Sequence, residues 1–299
     1  MEDRRHSYQS FDPELISPFL QSVGAHLTIH TVELCTTGRS NTHYKLTLSD
    51  DSIYILRLYA QSKPEQDTYI FNLVKDVVPV PELLAQGPRW AILSFLPGKL
   101  LSDCPEDVDK AATALAHIAA IQFKAPGQLQ TDGLITPFGF GGLSGYIARQ
   151  LDRSEVQSWL SLKTLKQLQQ LQGQDASLLQ ELDAETYLVH GDFNPTNILI
   201  QNGQVSGILD WDYCHSGTPY MDIGNLLRHT PSHQYQQIKV GLEHGGMALP
   251  EDWQQRAEWA DLASQLEFLT SSRSDVFKQQ CVDRVNLFLR MYFERSRGA

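Results

Sequence analysis

Two short segments hold most of the groups in this chain that could do chemistry: Tyr187-Leu-Val-His-Gly-Asp-Phe-Asn-Pro-Thr-Asn-Ile-Leu-Ile200 and Gly207-Ile-Leu-Asp-Trp-Asp212. Asp192 and Asn197 stand five residues apart in a polar loop between two apolar runs. Asp210 and Asp212 close a third apolar run, after a turn at Asn202-Gly203. Pairing of the three runs as strands would bring Asp210 beside Asp192 and Asn197. Carboxylates and an amide oxygen are hard donors. They suit Mg²⁺, which takes few protein ligands and completes its shell with phosphate and water. No cluster offers the nitrogen and sulfur ligands that zinc prefers. His229 and His233 are four apart, but Pro231 between them argues against a helical metal pair. An aspartate in a loop is ordinarily a turn or cap residue; here the spacing of the whole set gives Asp192 its interest.

The elements around these residues can be read from periodicity. Residues 11–23 form a short helix with Asp12 as N-cap and Pro13 in its first turn. Residues 27–34, 43–48 and 53–59 alternate with period two and predict three antiparallel strands. A helix follows over 64–75. Pro79, Pro81 and Pro88 then punctuate a return to strand at 90–96, stopped by Pro97-Gly98. Beyond that point the chain turns helical: 111–123, then 151–182 with a break expected at Gly173, 251–270 and 276–293. Gly139-Phe-Gly-Gly142 reads as a plain loop among helices. The change of composition near residue 97 predicts a lobe boundary.

The chain has 299 residues, 41% apolar and 20% charged, enough for one large domain or two modest ones. Its net charge of −11 disfavours a nucleic-acid partner and is compatible with a cationic substrate, or simply with solubility. No apolar run approaches a membrane span, and no apolar stretch follows the first residues as a secretory signal requires. The four cysteines are widely spaced, as reduced thiols of a cytoplasmic protein would be. There is no G-x-x-x-x-G-K-[ST] loop, and no G-x-G-x-x-G follows the first strand.

The pattern His190-Gly-Asp-x-x-x-x-Asn197 followed by Asp210-x-Asp212 resembles the signature of the aminoglycoside phosphotransferase/choline kinase group. Its layout is similar to the protein-kinase catalytic-loop Asp and Asn with a later metal-binding Asp. The resemblance covers residues 25 to 230. It implies an α+β, bilobal, protein-kinase-like fold: a small antiparallel-sheet nucleotide-binding lobe over 1–97, a hinge at about 94–98, and a larger, mostly helical lobe over 98–299 that binds the acceptor. It implies an ATP- and Mg-dependent transfer of phosphate to a small-molecule hydroxyl. Asp192 would accept the hydroxyl's proton or orient that hydroxyl. Asn197 and Asp210 would bind the metal, with His190, Asp212 and Asp222 supporting them. Ser40 and Asn41 fall in the family's turn over the phosphates, though Ser40-Asn41 is also an ordinary hairpin turn. Ser94, Phe95 and Leu96 match the segment whose backbone pairs with adenine. Arg57 stands where the kinase pattern has a phosphate-binding lysine, and it is not a lysine equivalent. Its helix partner falls among Glu65, Gln66 and Asp67.

A protein kinase is disfavoured by the absence of His-Arg-Asp and Asp-Phe-Gly and by the nine residues between Asp212 and Asp222, which leave little room for an activation segment. Two alternatives remain: a metabolic kinase acting on choline-, ethanolamine- or homoserine-like substrates, and a nucleotide-binding pseudokinase. For the acceptor, residues 251–269 predict one helix, with Trp253, Ala257, Ala260, Ala263 and Leu266 toward the core. Glu258, Trp259 and Asp261 would then share another face, able to hold a cationic acceptor, unless that face is merely solvated.

Overall fold

Alternating apolar residues between positions 29 and 58 build an antiparallel meander: β1 (Ile29–Cys35), β2 (Thr42–Leu48) and β3 (Ile53–Leu58). The structure is a computed structural model that describes residues 4–24, 26–36 and 40–298. A helix α1 (Ser17–Val23) precedes the strands. It is entered by a 3₁₀ turn, Pro13–Ile16, whose N-cap Asp12 accepts from the Glu14 amide as expected. Then come α2 (Pro64–Val74), β4 (Leu83–Gly87), β5 (Trp90–Ser94) and β6 (Lys99–Leu100). The sheet order is β1-β2-β3-β5-β4. β4 escaped the sequence reading because five residues between prolines carry no clear period.

The helical part contains α3 (Val108–Ile118), β7 (Gly127–Leu129), β8 (Ile135–Thr136), α4 (Leu143–Leu151), α5 (Ser154–Trp159), α6 (Leu162–Gln174) and α7 (Ala176–Ala184). It continues with β9 (Tyr187–Val189), β10 (Ile198–Gln201), β11 (Gln204–Ile208), β12 (His215–Gly217), α8 (Tyr220–Arg228), α9 (Tyr235–His244), α10 (Trp253–Leu269) and α11 (Asp275–Gly298). The break expected at Gly173 lies elsewhere. Gly173 is inside α6 and exposed, where glycine costs only about 1 kcal/mol, and the helix ends at Asp175. The Asn202-Gly203 turn forms as expected, with φ of 52° and 68°, the left-handed pair that a tight two-residue hairpin requires. Among the described residues no helix is long and apolar enough to cross a membrane.

The chain forms two compact units. The first is residues 1–99 with 199–212; the second is 100–198 with 213–299. A boundary drawn only near residue 97 leaves out the 199–212 segment, which belongs with the first unit. In the first unit, one sheet face packs Leu46, Leu56, Leu58 and Ile92 against Ile16 and Phe19 of the N-terminal helical turns. Strand alternation sends Arg57 to the opposite face from Leu56 and Leu58.

In the second unit α10 is the central helix, in contact with α4, α5, α8 and α11. Trp253, Ala257, Ala260, Ala263 and Leu266 are buried as expected, and so are Trp259 and Leu262. α8 and α10 touch closely at Gly224. A Cβ there would lie 2.4 Å from the Ala257 carbonyl oxygen and 3.1 Å from the Asp261 Cβ. Gly224→Ala must therefore push the two helices apart, lowering stability by about 1–3 kcal/mol. Chemical denaturation checks this, and unchanged stability would show that the helices can separate freely at this point.

Candidate active site

The loop after β9 is organised around a carboxylate the sequence places thirty residues downstream. Asp222, fully buried in the first turn of α8, accepts the His190 amide at 2.6 Å and the Gly191 amide at 2.9 Å. The Phe193 amide also points to it. Burial pushes the Asp222 carboxyl up to about 7, against those three donors and with the Asp192 charge adding to the rise. Gly191 is required at its position: φ is +83°, and a Cβ would lie 2.4 Å from the Tyr213 carbonyl oxygen. His190 is fully buried, and its Nδ1 accepts the Asp192 amide at 3.2 Å. That contact makes Nδ1 an acceptor and gives His190 a structural role beneath the loop.

Asp192 is held from both sides. Asn197 Nδ2 donates to its Oδ2 at 2.9 Å and to its carbonyl at 2.9 Å. Asn194 Nδ2 donates to its Oδ1 at 2.8 Å. The Asn194 side-chain oxygen in turn accepts the Thr196 amide at 2.9 Å, closing an Asx turn before Pro195. The sequence reading missed Asn194; an Asn-Pro pair inside the loop was its only signal. Because both Asn197 contacts are to acceptors, the amide nitrogen faces Asp192 and the amide oxygen is the atom left to act as a metal donor.

In the first unit the central group is Arg57, 3% exposed. Its Nη1 lies 3.2 Å from Asp67 Oδ2, its Nη2 2.7 Å from Asp212 Oδ1 and 3.9 Å from Asp210 Oδ1. The helix partner left open among three residues is thus Asp67, itself 2% exposed and joined by the Tyr59 hydroxyl at 2.5 Å. Burial works against the Arg57 charge, but Asp67 and Asp212, with smaller contributions from Tyr59 and Asp210, outweigh it and hold the guanidinium above its ordinary range. Both Asp212 oxygens are used, since the other accepts Asn41 Nδ2 at 2.8 Å. Asn41, 4% exposed, also accepts the Ala60 amide at 3.0 Å, so its side chain straps the end of β3 to Asp212. Asp210 differs from Asp212: its side chain is 41% exposed and its φ is +62°. The left-handed turn swings its carboxylate out of line with β11.

The other expected nucleotide residues also lie in the first unit. Thr37, Gly38 and Arg39 of the expected phosphate turn lie outside the described residues; Ser40 is described and half-buried. The Ser94 hydroxyl accepts the Glu82 amide at 2.8 Å, tying β5 to the start of β4. Phe95 is exposed, with the Lys45 ammonium 5.7 Å from its ring centre, and Leu96 packs over Gly207.

The expected cationic-acceptor face does not form. Trp259 is fully buried: its ring packs against Phe288 and its Nε1 donates to Asp175 at 2.7 Å. Glu258 is bound by Arg295, and Asp261 Oδ1 lies 3.0 Å from Arg228 Nη1. The physical reason is that α10 is surrounded by helices, so its acids meet arginines of its neighbours and no ligand-facing side remains for the three residues together.

Comparison with known proteins bears on what this arrangement does. The model of the phosphotransferase enzyme family matches residues 31–259. Hygromycin-B 4-O-kinase of Escherichia coli is 25% identical over 181 residues, 54% of this chain and 51% of the relative. The chain thus spans about half the length of that curated relative. Among solved structures, the aminoglycoside phosphotransferase APH(4)-Ia superposes with a TM-score of 0.64 at 16% identity, covering 93% of this chain and 99% of its own. The macrolide 2'-phosphotransferase MphH of Brachybacterium faecium gives 0.65 at 15%, covering 92% and 98%. A thermostable mutant of APH(4)-Ia, a ternary complex with ADP and hygromycin B, gives 0.62 at 16%, covering 92% and 98%. The fold is therefore the kinase-like α+β fold expected from the sequence.

Two outcomes follow from the geometry. Arg57→Ala leaves Asp67 buried without its counter-charge, so unfolding free energy should fall by roughly 3–5 kcal/mol in denaturant titrations. A loss below 1 kcal/mol would mean that the cluster does not hold this face together. The second outcome concerns His229, the C-cap of α8. Crowding by protein, then Arg228 and Arg284, lower its imidazole to about 4 against the opposing Asp192 charge. Its exposed edge limits the energetic weight of that shift. A base with a lowered folded pKa adds stability above its unfolded value near 6.5 and loses it as pH falls toward 4. Stability should decline over that window, the decline should be shallower in His229→Gln, and NMR titration should find the ring neutral at pH 5.

Proposed function

Because the chain belongs to the phosphotransferase enzyme family, we propose that it transfers the terminal phosphoryl group of ATP to a hydroxyl of a small molecule. The observation that carries this reading is the fixed carboxylate of Asp192. Each of its oxygens already accepts one side-chain amide, from Asn194 and Asn197. Each keeps a lone pair, so an incoming hydroxyl finds an acceptor whose direction is set before it arrives. The relatives that carry the fold support ATP as donor, one of them having been crystallised with ADP and hygromycin B.

The donor set fits Mg²⁺. Asn197 presents its amide oxygen, and Asp210 an exposed carboxylate raised from the strand by a left-handed turn. Asp212 is occupied by Arg57 and Asn41 and acts by placing the segment that carries Asp210. Asn197 in the second unit and Asp210 in the first are each the residue that would offer such an ion an oxygen, and the ion's charge would offset that of the phosphates. Arg57 gives its charge to Asp67 and Asp212 and fixes the positions of both.

In the transfer, the acceptor oxygen forms a bond to the terminal phosphorus, the bond from that phosphorus to the bridging oxygen breaks, and ADP departs. Asp192 orients the hydroxyl and takes up its proton as the new bond forms. Asp222 contributes by holding the backbone of 190–193 against recoil. Asp192→Asn keeps the shape of the group and removes its charge. It should lower kcat by roughly 10²–10⁴-fold with KM for ATP little changed, measured as ATP consumption over a panel of hydroxyl acceptors. Near wild-type turnover would remove Asp192 from the mechanism.

A further inference from the structure

Residues 4–12 have no part in the transfer described above, and they form neither helix nor strand. They are nevertheless bound at definite points along the first unit. Phe11 anchors them: it packs against the sheet-face core, with its ring centre 5.0 Å from that of Tyr44. The Tyr44 hydroxyl donates to the Gln9 carbonyl at 2.8 Å, and the Gln9 amide donates to Thr42 Oγ1 at 3.0 Å. The Tyr8 hydroxyl donates to the Thr36 carbonyl at 3.2 Å. Arg4 Nη2 donates to the Asn41 carbonyl at 3.0 Å.

These bonds fall where the sheet is incomplete. β1 ends at Cys35, opposite His43, whereas β2 begins one residue earlier at Thr42. Asn41 and Thr42 thus lie beyond the last β1 partner, and a backbone carbonyl there needs a donor from elsewhere. Arg4 supplies it. Tyr8 meets the Thr36 carbonyl on the other limb, so both limbs of the turn between β1 and β2 are held by residues 4–8.

Arg4 reaches Asn41 with its direction already set. Its Nε donates to the His6 carbonyl at 2.8 Å, and its guanidinium lies 3.8 Å from the centre of the Tyr8 ring. The residue it holds is the one whose side chain already joins the Ala60 amide to Asp212. Asn41 is therefore fixed through its carbonyl oxygen as well as through both ends of its amide. A turn that cradles phosphates does so with backbone N–H groups, and its affinity depends on how firmly its limbs are held before the ligand arrives.

We infer that residues 4–9 are a strap that sets the β1–β2 turn for the phosphates of the nucleotide, with Arg4 and Tyr8 as positioning residues. The nucleotide's place in this inference rests on the phosphotransfer reading; the strap itself rests on the bonds to Thr36, Asn41 and Thr42.

Binding of ATP, ADP and adenosine, each with Mg²⁺, is measured on the full chain by ligand-observed NMR titration, which reads weak binders as well as tight ones. Arg4→Ala should weaken ATP and ADP roughly three- to tenfold, the worth of one hydrogen bond, and leave adenosine unchanged. Tyr8→Phe keeps the ring under Arg4 and removes only an exposed hydroxyl; it should act in the same direction and more weakly. Arg4→Lys, which can still donate to Asn41, should recover part of the loss. Amide exchange at Asn41 and Thr42 should quicken in Arg4→Ala. In ATP-consumption assays KM for ATP should rise while KM for the acceptor holds. A general loosening of the sheet would weaken all three ligands alike, so equal losses for adenosine and ADP overturn the positioning role. Unchanged ADP affinity in both Arg4→Ala and Tyr8→Phe overturns it too and leaves the phosphotransfer reading intact. Should circular dichroism find Arg4→Ala unfolded, Tyr8→Phe decides alone. Wild-type protein that binds none of the three ligands overturns the nucleotide role together with the phosphotransfer reading, whatever the exchange rates show.

Discussion

Arg57 has its charge almost wholly out of water, and such a charge has to be met where it sits. Three parts of the chain meet it: Asp67 from the first turn of α2, Asp212 from the end of the β11 segment, and Tyr59 beneath it through Asp67. Helix, sheet and returning segment are therefore fixed by one guanidinium, and Asp210 is carried into place as the neighbour of a residue that cannot move. Asn41 closes the arrangement by bonding both Asp212 and the Ala60 amide. A lysine has one nitrogen to share among these acids, whereas arginine reaches Asp67 and Asp212 with two nitrogens set at a fixed angle.

The second unit solves a different problem with the same economy of parts. A polar loop with a left-handed glycine has backbone N–H groups that no strand can satisfy. Asp222 gathers three of them, so the loop is rigid from below before any ligand approaches. Asn194 and Asn197 then fix the carboxylate of Asp192 from above. Each of these two segments carries a residue in the left-handed region, Gly191 in one and Asp210 in the other.

How far the sequence revealed this depended on the range of the interactions. The loop between β9 and β10, the turn at Asn202-Gly203 between β10 and β11 and the order Asp192, Asn197, Asp210 were legible because each is written within a few consecutive residues. The partner of Arg57 was not, since Glu65, Gln66 and Asp67 follow one another on a helix and only the placement of α2 on the sheet chooses among them. Trp259 was misread for a related reason: α10 carries apolar residues all round, so its pattern names no single outward face. α9 passed unnoticed because its contact with α3 relies on the bare backbone of Gly241, where a Cβ would lie 2.3 Å from the Asp109 carbonyl oxygen. A glycine that permits contact looks, in sequence, like one that interrupts a helix.

The chain leaves the second unit after Ile198, supplies residues 199–212 to the first, and returns at Tyr213. During synthesis, the first 99 residues emerge long before Asp212, the counter-charge that Arg57 needs. The first unit cannot reach its final form until Asp212 has left the ribosome, and its folding is tied to the progress of translation. A fragment ending at Lys99 is accordingly not a small independent domain but a sheet with a charge waiting in its interior.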